Sequence, residues 1–283
     1  MNCRLLSALA LLLIAPSALH AQTGVLVMAH GGTPEWNAEV LDAVEDLRMD
    51  YPVAVAFGMA DPRTLAAGVD SLLAAGVERI LVPRLFLSGD SFRDATEYVL
   101  GLSDEKPRWS MHAEHMHQLE IPVPVRMVEE GLLDAPEVGG ILTARAEALS
   151  MKPESESVLL IAHGAGSEEE NDAWLRRMDL LADSVRESIP FAEVKVETLR
   201  EDWEEEREAA ESRIRGWVET QSGLSRDVIV IPFRLSGFGP YAEVLDGLSY
   251  RADGKGLLPD RRISSWVRRQ VAAFETRVDG EAG

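Results

Sequence analysis

The sequence predicts an α/β protein made of two duplicated halves, each an open parallel sheet with helices on both faces. Three observations carry that prediction. Val25-Leu26-Val27-Met28-Ala29-His30-Gly31 returns as Val158-Leu159-Leu160-Ile161-Ala162-His163-Gly164, with five of the seven positions identical. A second apolar run ending in proline, Ile80-Leu81-Val82-Pro83, returns as Ile229-Val230-Ile231-Pro232, and Leu-Ser-Gly follows each, at Leu87-Ser88-Gly89 and Leu235-Ser236-Gly237. Finally, continuous apolar runs of strand length alternate with helical periodicity, the pattern of parallel strands joined by right-handed crossovers.

Each element has its own signal. Val25–Ala29 is an unbroken apolar run, as for a strand covered on both faces. Val40, Val44 and Leu47 then recur at helical spacing, and Val53–Phe57 is a second strand. The next helix starts with Asp61 as cap and Pro62 in its first turn, and Gly76 stops it. Arg79–Phe86 is the third strand; Ile121–Met127 is a fourth whose two prolines assign it to an edge. Pro136–Leu149 is the last helix of the half. In the second half, Val158–Ala162, Phe191–Val196 and Val228–Ile231 are strands. Trp174, Met178, Leu181 and Val185 mark one helix, an acidic helix occupies Asp202–Thr220, and Ile263, Val267, Val271 and Phe274 mark the last. His30 to Pro83 spans 53 positions and His163 to Pro232 spans 69, so the helices between equivalent strands are expected to be longer in the second half.

Composition narrows the function. The 283 residues carry 28 Lys and Arg against 48 Asp and Glu, a formal charge of −20, and 46% are hydrophobic. That much apolar content excludes a disordered chain. The acidic balance excludes nucleic acid and anionic membrane surfaces as partners, since both call for clustered Lys and Arg. No apolar run reaches the roughly 18 residues of a membrane span. Arg4, the apolar stretch Leu5–Ala15 and the small residues near Ala21 read as a secretory signal peptide over residues 1–21, which predicts a periplasmic or secreted protein. The remaining organisation is an N-terminal α/β domain at 22–150, a polar linker at 151–157 and a C-terminal α/β domain at 158–283. Cys3 would leave with the signal peptide, so cysteine-ligated iron–sulfur clusters are excluded.

Ligands of open parallel sheets bind beyond the carboxyl ends of the strands, where His30 and His163 both fall. Phosphate-binding Gly-Lys-Ser/Thr and Gly-x-Gly-x-x-Gly loops, His-Glu-x-x-His and Gly-x-Ser-x-Gly are all missing, so neither a nucleotide cofactor nor a serine esterase is indicated. A histidine before glycine at a strand end has a plain reading, a ring bonded to loop backbone. Retention of both copies favours a shared site. Within Met111-His112-Ala113-Glu114-His115-Met116-His117, the alternation puts His115 and His117 on one face if the segment is extended. That trio is open to two readings, solvated loop histidines or metal ligands. The runs Glu168–Glu170 and Glu204–Glu206 read as exposed helix faces, the former favoured by the helix dipole.

These residues carry a family likeness. The apolar strand ending in His-Gly, the Val82-Pro83-Arg84-Leu85-Phe86-Leu87 strand, Gly131-Leu132-Leu133-Asp134-Ala135-Pro136 and the tandem halves resemble class II tetrapyrrole metal chelatases, in particular sirohydrochlorin cobalto- or ferrochelatases. The resemblance spans nearly all of the chain after residue 21. It implies two flavodoxin-like halves around a cleft and a lyase that inserts cobalt or iron into a tetrapyrrole without nucleotide. The metal ion is then a substrate, with nickel or zinc also compatible with imidazole ligands. On the family pattern His30 and His163 are the catalytic and metal-binding residues, and His115 and His117 are further metal candidates. Arg84, Ser88, Arg234 and Ser236 are candidates for binding the macrocycle. A basic patch for its carboxylates would draw on Arg84, Arg93, Arg234, Arg251 and Lys255. The family commonly has another histidine near the position of Ser91. Either His112, His115 or His117 takes its place here, or the chain is a non-enzymatic, exported metal- or tetrapyrrole-binding protein. A monomer suffices to build the cleft, and a homodimer is equally compatible.

Overall fold

The computed structural model describes residues 22–107 and 114–281. The expected signal peptide and His112 lie outside the described residues. The first half forms strands β1 (Thr23–Ala29), β2 (Val53–Phe57), β3 (Arg79–Val82), β4 (Arg84–Leu85) and β5 (Val125–Met127), with helices α1 (Pro34–Val44), α2 (Pro62–Ala74), α3 (Arg93–Val99) and α4 (Pro136–Leu149). The second forms β6 (Glu156–Ala162), α5 (Glu168–Ser188), β7 (Glu193–Thr198), α6 (Glu204–Gly223), β8 (Asp227–Phe233), α7 (Tyr241–Val244) and α8 (Arg261–Glu281). The sheets run β2-β1-β3-β5, with β4 continuing beside β1, and β7-β6-β8; every pairing is parallel. β1 and β6 are therefore the central strands, and both are buried throughout. The longer second-half helices are α5 and α6, at 21 and 20 residues against 11 and 13 for α1 and α2.

Side-chain alternation along the central strands sorts the core. Val25, Val27 and Ala29 join Val158, Leu160 and Ala162 in one apolar core between the sheets, filled by α1, α4, α5 and α8. Leu26 and Met28 face an outer core under α2 and α3, and Leu159 and Ile161 face another under α6 and α7. The last helix of each half packs on the other half: α4 lies against α5 and β8, and α8 against α1 and β1. Ser264 in α8 donates to the Ala43 carbonyl at 2.6 Å, and Thr23 in β1 donates to Glu275 at 2.7 Å. Each buried Leu, Ile, Val or Phe contributes about 1.5–3 kcal/mol, so the shared core binds the two halves into one unit.

Local chemistry explains where the elements differ from expectation. The third strand breaks into β3 and β4 at Pro83, whose carbonyl still accepts from Met28 but which has no N–H for the ladder. β5 keeps only Val125–Met127, because Pro122 and Pro124 remove donors just before it, and it does sit at the sheet edge. β7 begins two residues later than expected and takes in Glu193, Lys195 and Glu197. These polar residues fit a strand because α6 meets them: Trp217 and Gln221 donate to Glu193, and Arg213 pairs with Glu197. In the second half, Arg251 makes a lone bridge to Ile229, where the first half pairs Val125 with Ile80 across β5 and β3.

Candidate functional site

The carboxyl ends of both sheets open onto one cleft of about 840 Å³ lined from both halves. His30 and His163 both line it, each one residue past its central strand. The two copies are built alike. Gly31 and Gly164 have φ of 81° and 87°, a left-handed turn suited to glycine. A Cβ at Gly31 would press on Phe57 and one at Gly164 on Thr198, the last residues of β2 and β7. The tight turn folds each ring back on its neighbour, so that His30 Nδ1 lies 2.8 Å from the Gly31 carbonyl and His163 Nδ1 lies 2.9 Å from the Gly164 carbonyl. A carbonyl only accepts, so Nδ1 carries the proton in both rings and Nε2 is left for other partners. The loop-backbone bond of the plain reading is thus present, and it orients both rings in the cleft. Asn37 and Asn171 brace the turns by accepting from the amides of Gly32 and Ala165.

The halves then diverge. His163 Nε2 lies 3.1 Å from Asp202 Oδ2, and the ring packs edge-on to Trp203. His30 is exposed, packs edge-on to Phe92 and is given no such acid. Next to Asp202, Glu201 accepts from Arg234 at 2.5 and 2.7 Å and from the Tyr241 hydroxyl at 3.0 Å. Burial, then the charge of Glu201, pushes the Tyr241 phenol well above its usual range, so it stays a donor at neutral pH. Glu201 and Asp202 were not singled out from the sequence, where they merge with the acidic stretch that opens α6. Their signal is position, three and four residues past β7, where Ala60 and Asp61 stand past β2.

The remaining walls are Trp36, Phe86, Phe92, Trp174 and Trp203, with Ser88 and Ser236 from the two Leu-Ser-Gly loops. These loops are equivalent in detail. Leu132 and Leu133 donate to the carbonyls of Phe86 and Leu87, and Leu257 and Leu258 donate to those of Arg234 and Leu235. A Cβ at Gly131 would strike the Leu87–Gly89 backbone, and one at Gly256 the Leu235–Ser236 backbone. The signal for this second repeat is in the sequence, as Gly131-Leu132-Leu133 and Gly256-Leu257-Leu258. The sheet registers equate Leu85 with Phe233, opposite Ala29 and Ala162. The Leu-Ser-Gly match is therefore in register, and aligning Pro83 with Pro232 is off by one residue.

That offset corrects one expected site residue. Arg84 is buried and points away from the cleft, donating to the carbonyls of Ser91 at 2.6 Å, Gly89 and Val128, so it holds the loop rather than a ligand. Burial, then the nearby charge of Arg93, draws its guanidinium down to about 10, and it remains charged at neutral pH. Phe86 occupies the place that Arg234 has in the second half. Ser88, Arg234 and Ser236 do line the cleft.

His115 and His117 are not brought to it. They flank Met116, which is buried in the outer core beneath α3, so the alternation that puts both rings on one face turns that face to solvent. Arg93, Arg251 and Lys255 also lie off the cleft; Arg93 pairs with Asp90, and Arg251 with Glu156 and Asp227. Among the described residues, no group of three or more His, Cys, Asp or Glu side chains is gathered as for a resident metal. The pair at His163 and Asp202 offers one nitrogen and one oxygen.

The chain is similar to several known proteins. It is 33% identical over 85 residues to the sirohydrochlorin cobaltochelatase of Methanothermobacter thermautotrophicus, a match that covers 29% of this chain and 59% of that relative's length. Among solved structures, SirB from Bacillus subtilis with Fe3+ matches 92% of this chain and 98% of its own, with a TM-score of 0.63 at 14% identity. The sirohydrochlorin chelatase SirB from Bacillus subtilis subspecies spizizenii, in complex with cobalt, covers 92% and 97% with a TM-score of 0.59 at 13% identity. A multi-domain Deinococcus radiodurans protein with structural similarity to chelatases matches 88% of this chain, which spans 54% of it, with a TM-score of 0.57 at 16% identity. No family model matches the chain.

Proposed function

We propose, for a chain that has the class II chelatase fold and groups with that family in sequence, that it inserts a divalent metal, cobalt or iron, into a tetrapyrrole with a sirohydrochlorin-type core, without nucleotide. The observation that carries this reading is the His163–Asp202 pair on the wall of an aromatic cleft that also holds His30. Two ligands about 2.1 Å from a metal and at right angles lie about 3 Å apart, close to the 3.1 Å between His163 Nε2 and Asp202 Oδ2. A borderline divalent ion can replace the proton between them, and the aromatic walls suit a flat ring. His30, whose Nε2 is open to the cleft, accepts one proton at a time and releases it to solvent as the two pyrrole N–H bonds break in turn and the nitrogens bond the metal. Acidification works against insertion, because protonated rings neither ligate nor accept protons.

The test is incubation with sirohydrochlorin and cobalt(II) or, in parallel, iron(II), followed by absorbance. Metal-dependent conversion by the wild type, abolished in His163→Ala, is the expected result; no conversion with either metal would remove the insertion reading. A second reading, an exported metal- or tetrapyrrole-binding protein, is favoured by Ser91 standing where the family commonly has histidine and by a cleft with only two metal donors side by side. It predicts binding of the ring without conversion. In either case the proposed location is periplasmic or secreted.

A further inference from the structure

The cleft draws its positive charge from one side. The guanidiniums that line it are Arg177 and Arg234, both from the second half. Arg177 gives its Nε to Asp134 at 3.3 Å. Arg234 is the more firmly set. Its Nη1 donates to both oxygens of Glu201, at 2.5 and 2.7 Å, and the Tyr241 hydroxyl donates to the same carboxylate at 3.0 Å. The Tyr241 ring lies 5.9 Å from the guanidinium carbon. The Glu201 side chain is 11% exposed and Tyr241 is buried, so this anchor belongs to the wall. Among the described residues, no acceptor meets Nε or Nη2 of Arg234. Those two groups point the same way and form the fork that a carboxylate fills with two parallel bonds. Gly239, at φ 68°, borders that edge: a Cβ there would come within 2.8 Å of Nε and 2.9 Å of Cζ, so glycine keeps side-chain bulk off the guanidinium. The first half has no counterpart, since Phe86 stands at the equivalent register position and Arg84 is turned to loop carbonyls.

We propose that the Nε and Nη2 edge of Arg234 receives a peripheral carboxylate of the macrocycle, with Glu201 and Tyr241 as the positioning residues that aim it. The inference rests on the tetrapyrrole reading above and adds where the rim of the ring docks. Held at Nη1, the guanidinium loses little freedom when the carboxylate arrives. The rim carboxylate then lies on the wall that carries the His163–Asp202 pair, and the first half contributes aromatic area from Trp36, Phe86 and Phe92. The charge of Glu201 opposes a second carboxylate, which makes the two roles separable: Arg234 attracts the rim, whereas Glu201 aims Arg234 and weakens its pull.

The test measures the affinity of the full chain for an eight-carboxylate porphyrin relative to its octaamide, each followed by quenching of tryptophan fluorescence. Arg234→Gln should lower that ratio by about 10- to 100-fold, the worth of a charge-assisted bidentate contact. Glu201→Gln keeps an acceptor for Nη1 and for Tyr241 but removes a charge, and should raise the ratio by about three- to ten-fold. The two substitutions together keep the wild-type net charge and leave no unpaired group, so a ratio still about ten-fold below wild type reads the contact itself and not the field. A double variant that is folded by circular dichroism and holds the wild-type ratio would overturn the proposal and leave the insertion reading intact. Parallel losses in Glu201→Gln and Arg234→Gln would overturn it as well, since the pair would then only hold the loop. Failure of both rings to bind the wild type removes the tetrapyrrole reading and this proposal together.

Discussion

At the scale of single residues, the site depends on small geometric facts that duplication partly revealed. His30 and His163 were legible because a whole strand-turn motif repeats around them, and the structure gives both the same Nδ1 bond to the following carbonyl. Asp202 was not legible as a site residue: its counterpart Asp61, four residues past β2 as Asp202 is past β7, caps α2 and bonds Arg63, and in sequence Asp202 disappears into Glu201–Glu206. The direction of Arg84, onto loop carbonyls and not the cleft, is not legible because a strand residue's type does not reveal which way it points. If Asp202 orients His163 and shares its metal, Asp202→Asn should weaken cobalt affinity by about 10–100-fold, measured by titration of the cobalt absorption bands, with folding unchanged by circular dichroism. A second residue tests the frame rather than the site. Glu156 is buried, which alone would raise its pKa, yet bonds from Arg251, Ser150 and the Met151 and Lys152 amides bring it below the usual carboxylate value. Its folded pKa being depressed, its contribution is complete above the unfolded value of about 4.3 and is lost as pH falls through the lower folded value. Glu156→Gln should cost about 1–3 kcal/mol at neutral pH, and urea denaturation should show the deficit shrinking in acid below that window.

At the scale of elements, strands were read more securely than their joints. Continuous apolar runs gave β1, β2 and β6 nearly to the residue, whereas β7 slipped because its polar face is satisfied by side chains of α6 that no local pattern reveals. Among the described residues the second half has no counterpart of β5, and Arg251 keeps its place with a single bridge. The Leu-Ser-Gly loops are where element packing meets function, since Gly131 and Gly256 let a second backbone lie directly behind them. Alanine at either glycine has no room without moving the loop. Gly131→Ala and Gly256→Ala are each expected to destabilise by about 1–3 kcal/mol and to lower ring affinity, whereas Gly216→Ala, open on all sides in a helix, should be neutral or stabilising by up to about 1 kcal/mol. Thermal denaturation with ring binding on the same samples separates the two effects.

For the molecule as a whole, duplication was legible but the exchange of terminal helices was not, because α4 and α8 carry equally apolar faces and periodicity does not say which half receives them. With α8 on α1 and β1, and α4 on β8, neither half holds a complete core. Residues 22–150 expressed alone should lack cooperative unfolding, and mixing them with residues 151–283 should restore it. A cooperative, monomeric 22–150 fragment would contradict the shared core. The shared core is also what sets His30 and His163 on one cleft, and the account turns on that convergence. Cobalt(II) titration of the wild type, His30→Ala and His163→Ala by calorimetry tests it most directly. We expect one high-affinity site per chain, lost in His163→Ala and weakened in His30→Ala; affinity unchanged in both variants would contradict the assignment of the cleft as a metal-handling site.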